Sequence, residues 1–363
     1  MAETPVCIVS YARYTTRADE VHNEIEMLLP VVAQALEPVQ LSAQDVGFVC
    51  SGSSDYLAGQ PFAFVGALDA IGPWPPLAES HVEMDGAFAL FEAYLRLQHG
   101  DIDTALVYAF GKSSPGDLSR VLALQTDPYT VAPMFPDAVS MAGLQARALL
   151  DTGEVSERDV AEVVARSLRD ADGDPFATRS GQLTVEEVLA RPKVADPLRD
   201  LDCATVADGC SVVVLATLER ARELVEHPVA ITGIDHRLDP PSLGARDLTT
   251  SPSTRAAAAG AGVGVGAEAN VGGDFDLAEL HAPFAHQELI LRRELGLNGT
   301  TRINPSGGAL ASNPVMAAGL DRFGQAATRL AAGEGTRALV HATSGPCLQQ
   351  NLVAVLERDG GTR

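Results

Sequence analysis

The stretch RINPSGGALASNPVMAAGLDRF, residues 302–323, gathers Asn304, the adjacent glycines Gly307 and Gly308, and a second Asn-Pro pair at Asn313 ahead of a helical pattern. Glycine is costly in regular structure and is kept where the backbone takes φ > 0 or where another group must come close. The pair therefore reads as a turn that presents backbone N–H groups to the floor of a site and lets one half of the chain reach a helix entrance in the other. Asn313 and Pro314 have the residue types of a helix start, with Asn as N-cap and Pro in the first turn. A second run, STRAAAAGAGVGVGAEANVGG at residues 253–273, carries GxGxG spacing. It follows no strand and opens no helix, so it reads as an alanine helix continuing into a flexible glycine linker. The five cysteines, at 7, 50, 203, 210 and 347, lack the CxxC spacing of a zinc cage and the pattern of a disulfide framework, and read as small core residues.

With 363 residues, 46% of them hydrophobic, the chain can bury a large core as two domain-sized units or one duplicated fold. A formal net charge of -22 argues against nucleic acid and anionic membranes as partners, since both are held by clustered Lys and Arg. No apolar run reaches the roughly 18 residues of a membrane span. The N-terminal residues lack the basic start of a signal peptide, so a cytoplasmic location is expected.

The elements that must position these residues occur twice in the same order. CIVSYARYT (7–15) answers to AITGIDHRL (230–238), VGFVCSGSS (46–54) to LAELHAPFA (277–285), and TALVYAFGKSS (104–114) to RALVHATSGPC (337–347). Ile8 pairs with Ile231, Val49 with Leu280 and Val107 with Val340, at steps of 223, 231 and 233 residues. Offsets this constant indicate a duplication. Each copy reads strand, helix, strand, glycine-punctuated loop, helix, strand, the order of parallel βαβ units with buried apolar strands. Residues 86–99 and 319–332 are the matching helices, each with a glycine at its C-terminal end. GCSVVVLATLE and NLVAVLERD supply a last strand to each copy. Val107 and Val213 lie 106 residues apart but Val340 and Val353 only 13, so the first copy holds an excursion of 93 residues, about 113 to 205. That excursion, in which a Ser-x-x-Asp capping box opens SERDVAEVVARSLRDA, suits a lid or substrate loop at the strand ends. The expected domains are an N-terminal half, 1–225, and a C-terminal half, 226–363.

A duplicated α/β chain carrying INPSGG, ELHAPFAHQEL, TVEEVLARPKVADPL and DCATVADGCSVVVLA resembles the thiolase superfamily, in particular its lipid-transfer-protein or sterol-carrier-protein-X-like thiolases. The resemblance spans nearly the whole chain. It implies two duplicated βαβαβαββ-type halves packed as a five-layer α-β-α-β-α sandwich, an acyl-CoA substrate that brings coenzyme A with it, no other cofactor and no metal, and a dimer. It also implies a cysteine thiolate at a helix N-terminus, where the helix dipole lowers its pKa, to take up the acyl group. A histidine would activate that thiolate, a second cysteine would move the α-proton, and Asn and His donors would form oxyanion holes.

Matched residue by residue, the family's nucleophile lies 17 residues before a Gly-x-x-Asp turn, here GDID from Gly100, which puts Glu83 in its place. VEMDGAFAL, with Gly86 and Ala89, keeps the surrounding pattern. His281 matches the first residue of the family's His-Asp/Glu-x-Phe block, with Ala282 and Pro283 replacing its acidic and small residues. Asn304, Gly307 and Gly308 match the substrate-binding turn, and Asn313 stands where the activating histidine would be. The second cysteine falls on Ala342 or on Cys347, in the loop that also carries Gly345 as a substrate-binding position.

A carboxylate cannot form a thioester, so classical thiolysis by this chain alone is not expected. Glu83 reads either as a general base whose pKa burial raises, or as a carboxylate satisfying helix N–H groups in a dead pocket. His281 reads as a residue that orients Glu83 or donates to a thioester oxygen, or as a structural histidine. Tyr56, Tyr129 and His341 are candidate pocket residues. The leading expectation is an acyl-CoA-binding subunit that pairs with a cysteine-bearing homologue, or a homodimer. The alternatives are a CoA-ester aldolase or decarboxylase using Glu83 and His281, and an acyl-CoA or lipid binding scaffold.

Overall fold

The computed structural model describes residues 5–72, 76–264, 275–297 and 299–360. The first copy runs β1 (Val6–Thr16), α1 (Glu24–Leu36), β2 (Phe48–Gly52), α2 (Asp55–Ala58), α3 (Ala63–Ala67), β3 (Glu79–Val82), α4 (Gly86–His99) and β4 (Thr104–Lys112). The excursion follows with α5 (Leu118–Leu124), α6 (Ala138–Asp151), α7 (Glu157–Asp170), α8 (Val185–Leu189) and the short pair β5 (Lys193–Ala195) and β6 (Leu198–Arg199). The chain then returns through β7 (Asp208–Thr217) and α9 (Leu218–Leu224). The second copy comprises β8 (Val229–Leu238), α10 (Pro252–Gly260), β9 (Leu277–Leu280), α11 (Ala285–Glu294) and β10 (Arg302–Ile303). It closes with α12 (Gly308–Ala311), α13 (Ala318–Ala331), β11 (Arg337–Ser344) and β12 (Gln350–Arg358).

Ten strands hydrogen-bond in the order β10-β9-β11-β12-β8-β1-β7-β4-β2-β3. From the central antiparallel pair β1 and β8 outwards, the two copies repeat the same order strand for strand. The duplication read from the sequence is therefore carried by the topology. The two edge strands, β3 and β10, were not foreseen in the sequence, being four and two residues long and without a sustained alternation.

Alternation along the strands sorts side chains into layers. On β4, Ala105, Val107 and Ala109 enter a central core shared with α4, α13 and the second-copy strands, while Leu106, Tyr108 and Phe110 face α1. On β11, Ala338, Val340 and Ala342 face the same central core, and Leu339 joins α10 and α11 on the outside. The two sheet halves thus face each other across α4 and α13, with outer helices on both sides. Helices buried between two sheets must be slim. Accordingly α13 places Gly324 where a Cβ would come within 2.0 Å of the Tyr11 ring.

Local signals explain the helices. Asp85 caps α4, which ends at Gly100 with φ +83, the left-handed conformation glycine tolerates best. Ser156 and Asp159 form the expected capping box on α7. The alanine helix of the 253–273 run is α10, starting one residue earlier at Pro252. Most of the glycine stretch after it lies outside the described residues. One expectation is corrected: α13 starts at Ala318, not at Pro314, and Asn313 is not its N-cap. Pro314 instead sits in a bridge with Ala207, and its carbonyl receives the N–H groups of Ala317 and Ala318 in a turn that precedes the helix. No helix among the described residues is long and apolar enough to cross a membrane.

The 315–316 turn lies so close to β4 that a Cβ on Gly111 would sit 2.0 Å from the Val315 carbonyl oxygen. Gly111→Ala is expected to lower stability by about 3 kcal/mol through this overpacking, read as a fall in the urea unfolding midpoint. Gly244→Ala, where an added Cβ meets nothing within 4 Å, leaves the midpoint in place.

Candidate functional site

The first-copy strands β2, β3 and β4 and the second-copy strands β9, β10 and β11 end beside the N-termini of α4 and α13, where open α/β sheets form their sites. The point of contact is Asp85. Its Oδ1 accepts from the N–H groups of Ala87 (2.9 Å) and Leu320 (3.1 Å), and its Oδ2 from that of Gly319 (2.9 Å). One buried carboxylate therefore caps both helices. Gly86 donates to the Met316 carbonyl at 2.8 Å, and a Cβ on Gly319 would strike the Asp85 carboxylate, so this junction requires its glycines. Burial pushes the Asp85 carboxyl up to about 7, against the three N–H groups and Arg322, which hold it down.

Glu83, two residues earlier, points elsewhere. Its side chain is 46% exposed, Oε1 accepts from the Asp55 N–H at 2.7 Å, and Oε2 lies 3.4 Å from His81 Nε2. His81 in turn meets Ser51 Oγ at 3.0 Å and stacks on Phe64 with ring centroids 4.5 Å apart. The carboxylate does satisfy a helix N–H, but it is the first residue of α2 rather than α4. The expectation of a buried Glu83 working with His281 is corrected: the two share no hydrogen bond.

His281, at the end of β9, is buried and paired on both ring nitrogens. Nδ1 accepts from the Thr343 N–H at 3.4 Å and Nε2 donates to Asn313 Oδ1 at 3.1 Å, which assigns the proton to Nε2. Burial drives its pKa down to about 3, so the ring is neutral. His286 and His341 are neutral for the same reason, pushed to about 3 and about 4. His281 and Asn313 are the two predicted site residues that the fold brings together.

The INPSGG turn has a structural job. Asn304, at φ +47, accepts from the Leu280 N–H at 2.6 Å and donates to Glu288 at 2.9 Å. A Cβ on Gly307 would strike Ala171 and the Ser167 carbonyl of α7, and one on Gly308 the Asn304 side chain. The glycine pair lets the turn pack against the excursion; the contact with the α4 entrance is made ten residues later, by 316–320. Cys347 is buried, contacts the Met141 carbonyl at 3.5 Å, and has its thiol raised to about 11, mainly by burial. The other four cysteines are buried too, with thiols pushed to about 12. Gly345, at φ +73, turns the same loop over the Gln349 side chain. Of the other pocket candidates, His341 is spent on Asn351 at 2.9 Å, whereas Tyr56 and Tyr129 are exposed.

A buried charge network was not read in the sequence. Arg322 meets Glu279 and Ser306 Oγ, at 3.0 and 2.6 Å, and Asp321. Asp321 also accepts from Tyr11 and from Arg13, the latter at 3.2 Å, and Arg13 continues to Asp174 of the excursion. Burial raises Glu279, whereas Arg13 and Arg322 outweigh burial at Asp321 and hold it low. Asp321 and Arg322 were visible as LDRF, but nothing in a helical pattern says that its charges point inward. Asp85 was more legible: an aspartate immediately before a helix-opening glycine is a cap signal. Among the described residues, no cluster of three or more His, Cys, Asp or Glu could hold a metal ion.

This architecture is the thiolase fold: the chain aligns over 98% of its length with 99% of human mitochondrial 3-ketoacyl-CoA thiolase (TM-score 0.77, 18% identity). It also aligns over all of both chains with an Ltp2-ChsH2(DUF35) aldolase structure (TM-score 0.81, 18% identity). No protein-family model matches the chain. In sequence it is 27% identical to an acetyl-CoA acetyltransferase of Methanothermobacter thermautotrophicus, over 72% of this chain and 74% of that one. It is 22% identical to a non-specific lipid-transfer protein-like 2 of Caenorhabditis elegans, over 81% and 80%. In fold and in sequence the chain is similar to thiolase-superfamily proteins, lipid-transfer-protein-like ones among them.

Asp85→Ala strands three buried N–H donors and is expected to lower stability by about 3 kcal/mol at about pH 4. Because the folded carboxyl titrates near 7 and an unfolded one near 4, its contribution is full below about pH 4 and is lost as pH rises to about 7. The wild-type minus Asp85→Ala difference in urea stability, measured from pH 4 to 8, should therefore decline across that window; a flat or rising difference refutes the assignment.

Proposed function

We propose that the chain is a thiolase-like acyl-CoA-binding subunit without thiolytic chemistry of its own, which works beside a cysteine-bearing homologue. One observation carries this reading: each group aligned with the family's reacting residues is spent on the protein itself. Glu83 is bound to Asp55, His281 has both ring nitrogens paired, Asn313 receives the His281 proton, and Ala342 has no reactive atom. Cys347, the other candidate for the second cysteine, is a buried thiol. A nucleophile needs an accessible thiolate with a positioned base, and neither stands here.

The scaffold around these positions is intact, which supports retained binding rather than a drifted fold. Association with a second, different subunit is supported by the paired names, Ltp2 and ChsH2(DUF35), of one structural neighbour. That neighbour is an aldolase, which favours one second reading, a CoA-ester aldolase acting through Glu83 without a covalent intermediate.

A single pair of assays separates them. The pure chain, given acetoacetyl-CoA and coenzyme A, is expected to show no cleavage above background while binding the ester by calorimetry. Sustained thiolysis overturns the proposal. The aldolase reading requires cleavage of a 3-hydroxyacyl-CoA that Glu83→Gln abolishes with ester affinity retained; no cleavage by the wild type removes it.

A further inference from the structure

We propose that Arg17 and Arg179 form a carboxylate clamp beside the His281–Asn313 pair, and that the acyl-CoA this chain takes carries a free carboxylate at the end of its acyl group. This deepens the acyl-CoA reading given above and rests on it.

Arg179 belongs to the excursion and is fastened on both sides of the pair. Its N–H and that of Thr178 donate to the Ala311 carbonyl at 3.2 and 2.8 Å, and Asn313 lies two residues further on. Its Nη1 donates to the carbonyls of Cys203 at 2.8 Å and Asp200 at 3.3 Å. Cys203 bridges to Phe284, and the Ala204 N–H donates to the Pro283 carbonyl at 2.8 Å, two residues from His281. One peptide unit, Cys203–Ala204, therefore stands between the guanidinium and Pro283. Two residues span no more than about 7 Å of chain. An acyl group held at the imidazole can cover this path, whereas the phosphates of coenzyme A lie at the other end of the long pantetheine arm.

The charge on this spot has no counterion in the protein. With 48 acidic against 26 basic residues, an arginine here has many carboxylates to meet. Yet among the described residues neither Arg17 nor Arg179 forms an ion pair. The carboxylate that acts on Arg179 is Asp200, and Arg191 holds both its oxygens. Burial disfavours the Arg179 charge, Asp200 supports it, and Arg17 and Arg191 repel it, so that its pKa falls below the ordinary value. Like charges held together cost free energy that an incoming anion recovers. Only Nη1 of Arg179 is used among the described residues, which leaves Nε and Nη2, the two donors that grip a carboxylate bidentately. Arg17, directly after β1, is exposed and available to close on the same anion. Between Ala311 and Asn313, the Ser312 hydroxyl is 2% exposed and has no partner, a further unused polar group in the same wall.

Calorimetric titration with two pairs of esters tests the clamp: glutaryl-CoA against pentanoyl-CoA, and suberyl-CoA against octanoyl-CoA. Within each pair the acyl chains differ only in ending in a carboxylate or a methyl group. The wild type is expected to bind at least one acid at least about tenfold more tightly than its neutral partner, with the ratio falling in high salt. Arg179→Met brings that ratio to about one, and Arg17→Gln lowers it at least about threefold. Wild-type ratios near one in both pairs overturn the inference. So do variants that weaken acid and neutral ester equally, because the arginines then hold the nucleotide phosphates instead. The wild-type comparison decides even if Arg179→Met fails to fold. If no ester binds, the acyl-CoA reading falls and the clamp with it; if the esters of each pair bind alike, that reading stands and the clamp alone falls.

Discussion

Two helices begin in the interior of this protein, where no solvent is at hand for their first N–H groups. An α-helix leaves its first four N–H groups without intrahelical partners, and a buried end must find them elsewhere. Asp85 meets that need for α4 and α13 together, and much of the surrounding sequence follows from it. Gly86 lets the Met316 carbonyl approach, Gly319 leaves room for the carboxylate, and Gly52 admits Gly86. Converging helix N-termini are a ready-made anion site. Here the acceptor is a carboxyl group built into the chain, and the helices are joined across the two copies.

The second internal tie is ionic. Arg322, Glu279, Asp321, Arg13 and Tyr11 link α13 to β9 and β1, and Asp174 extends the chain of contacts into the excursion. Burying charges is expensive, and isolated buried pairs often stabilise no more than apolar residues of the same size. A network differs because each charge faces several partners, so removing one leaves others unpaired in a dry interior. Its value is positional: it fixes α13, and with it the 312–320 segment that carries Asn313 and the Asp85 contacts, against both sheet halves.

These ties explain why the site holds its shape while offering little reactivity. His281 is kept neutral by burial and fixed in one tautomer by Thr343 and Asn313, the thiols are buried in apolar surroundings, and the half-exposed Glu83 carboxylate is bonded to the start of α2. Precise placement here serves packing. Much of the scaffold was legible in the sequence because strand and helix signals are local: the apolar runs at 104–112 and 337–344, the helix from Gly86 to Gly100, and the Ser156 cap all depend on residues a few positions apart. Asn313 shows where local reading fails. Asn-Pro suits a helix start, but its side chain went to an imidazole 32 residues away, and the helix begins after an intervening turn. The glycines of INPSGG do mark a close approach, yet the element approached is α7 rather than α4, which no spacing along the chain could specify.

By itself the sequence determined the duplication, the α/β grammar of each copy, the long excursion, and the absence of a cysteine three residues before Gly86. Those features live in periodicity, composition and offsets, which are properties of one dimension. The tertiary structure decided which carboxylate serves the helix entrance: Asp85 turned inward and Glu83 outward, although they are two residues apart. It also decided that the charges of Asp321 and Arg322 lie inside and that His281 is spent on Asn313. The reason is that a side chain's protonation, reach and partners depend on which distant surfaces close around it, and burial is settled only when the two copies pack together.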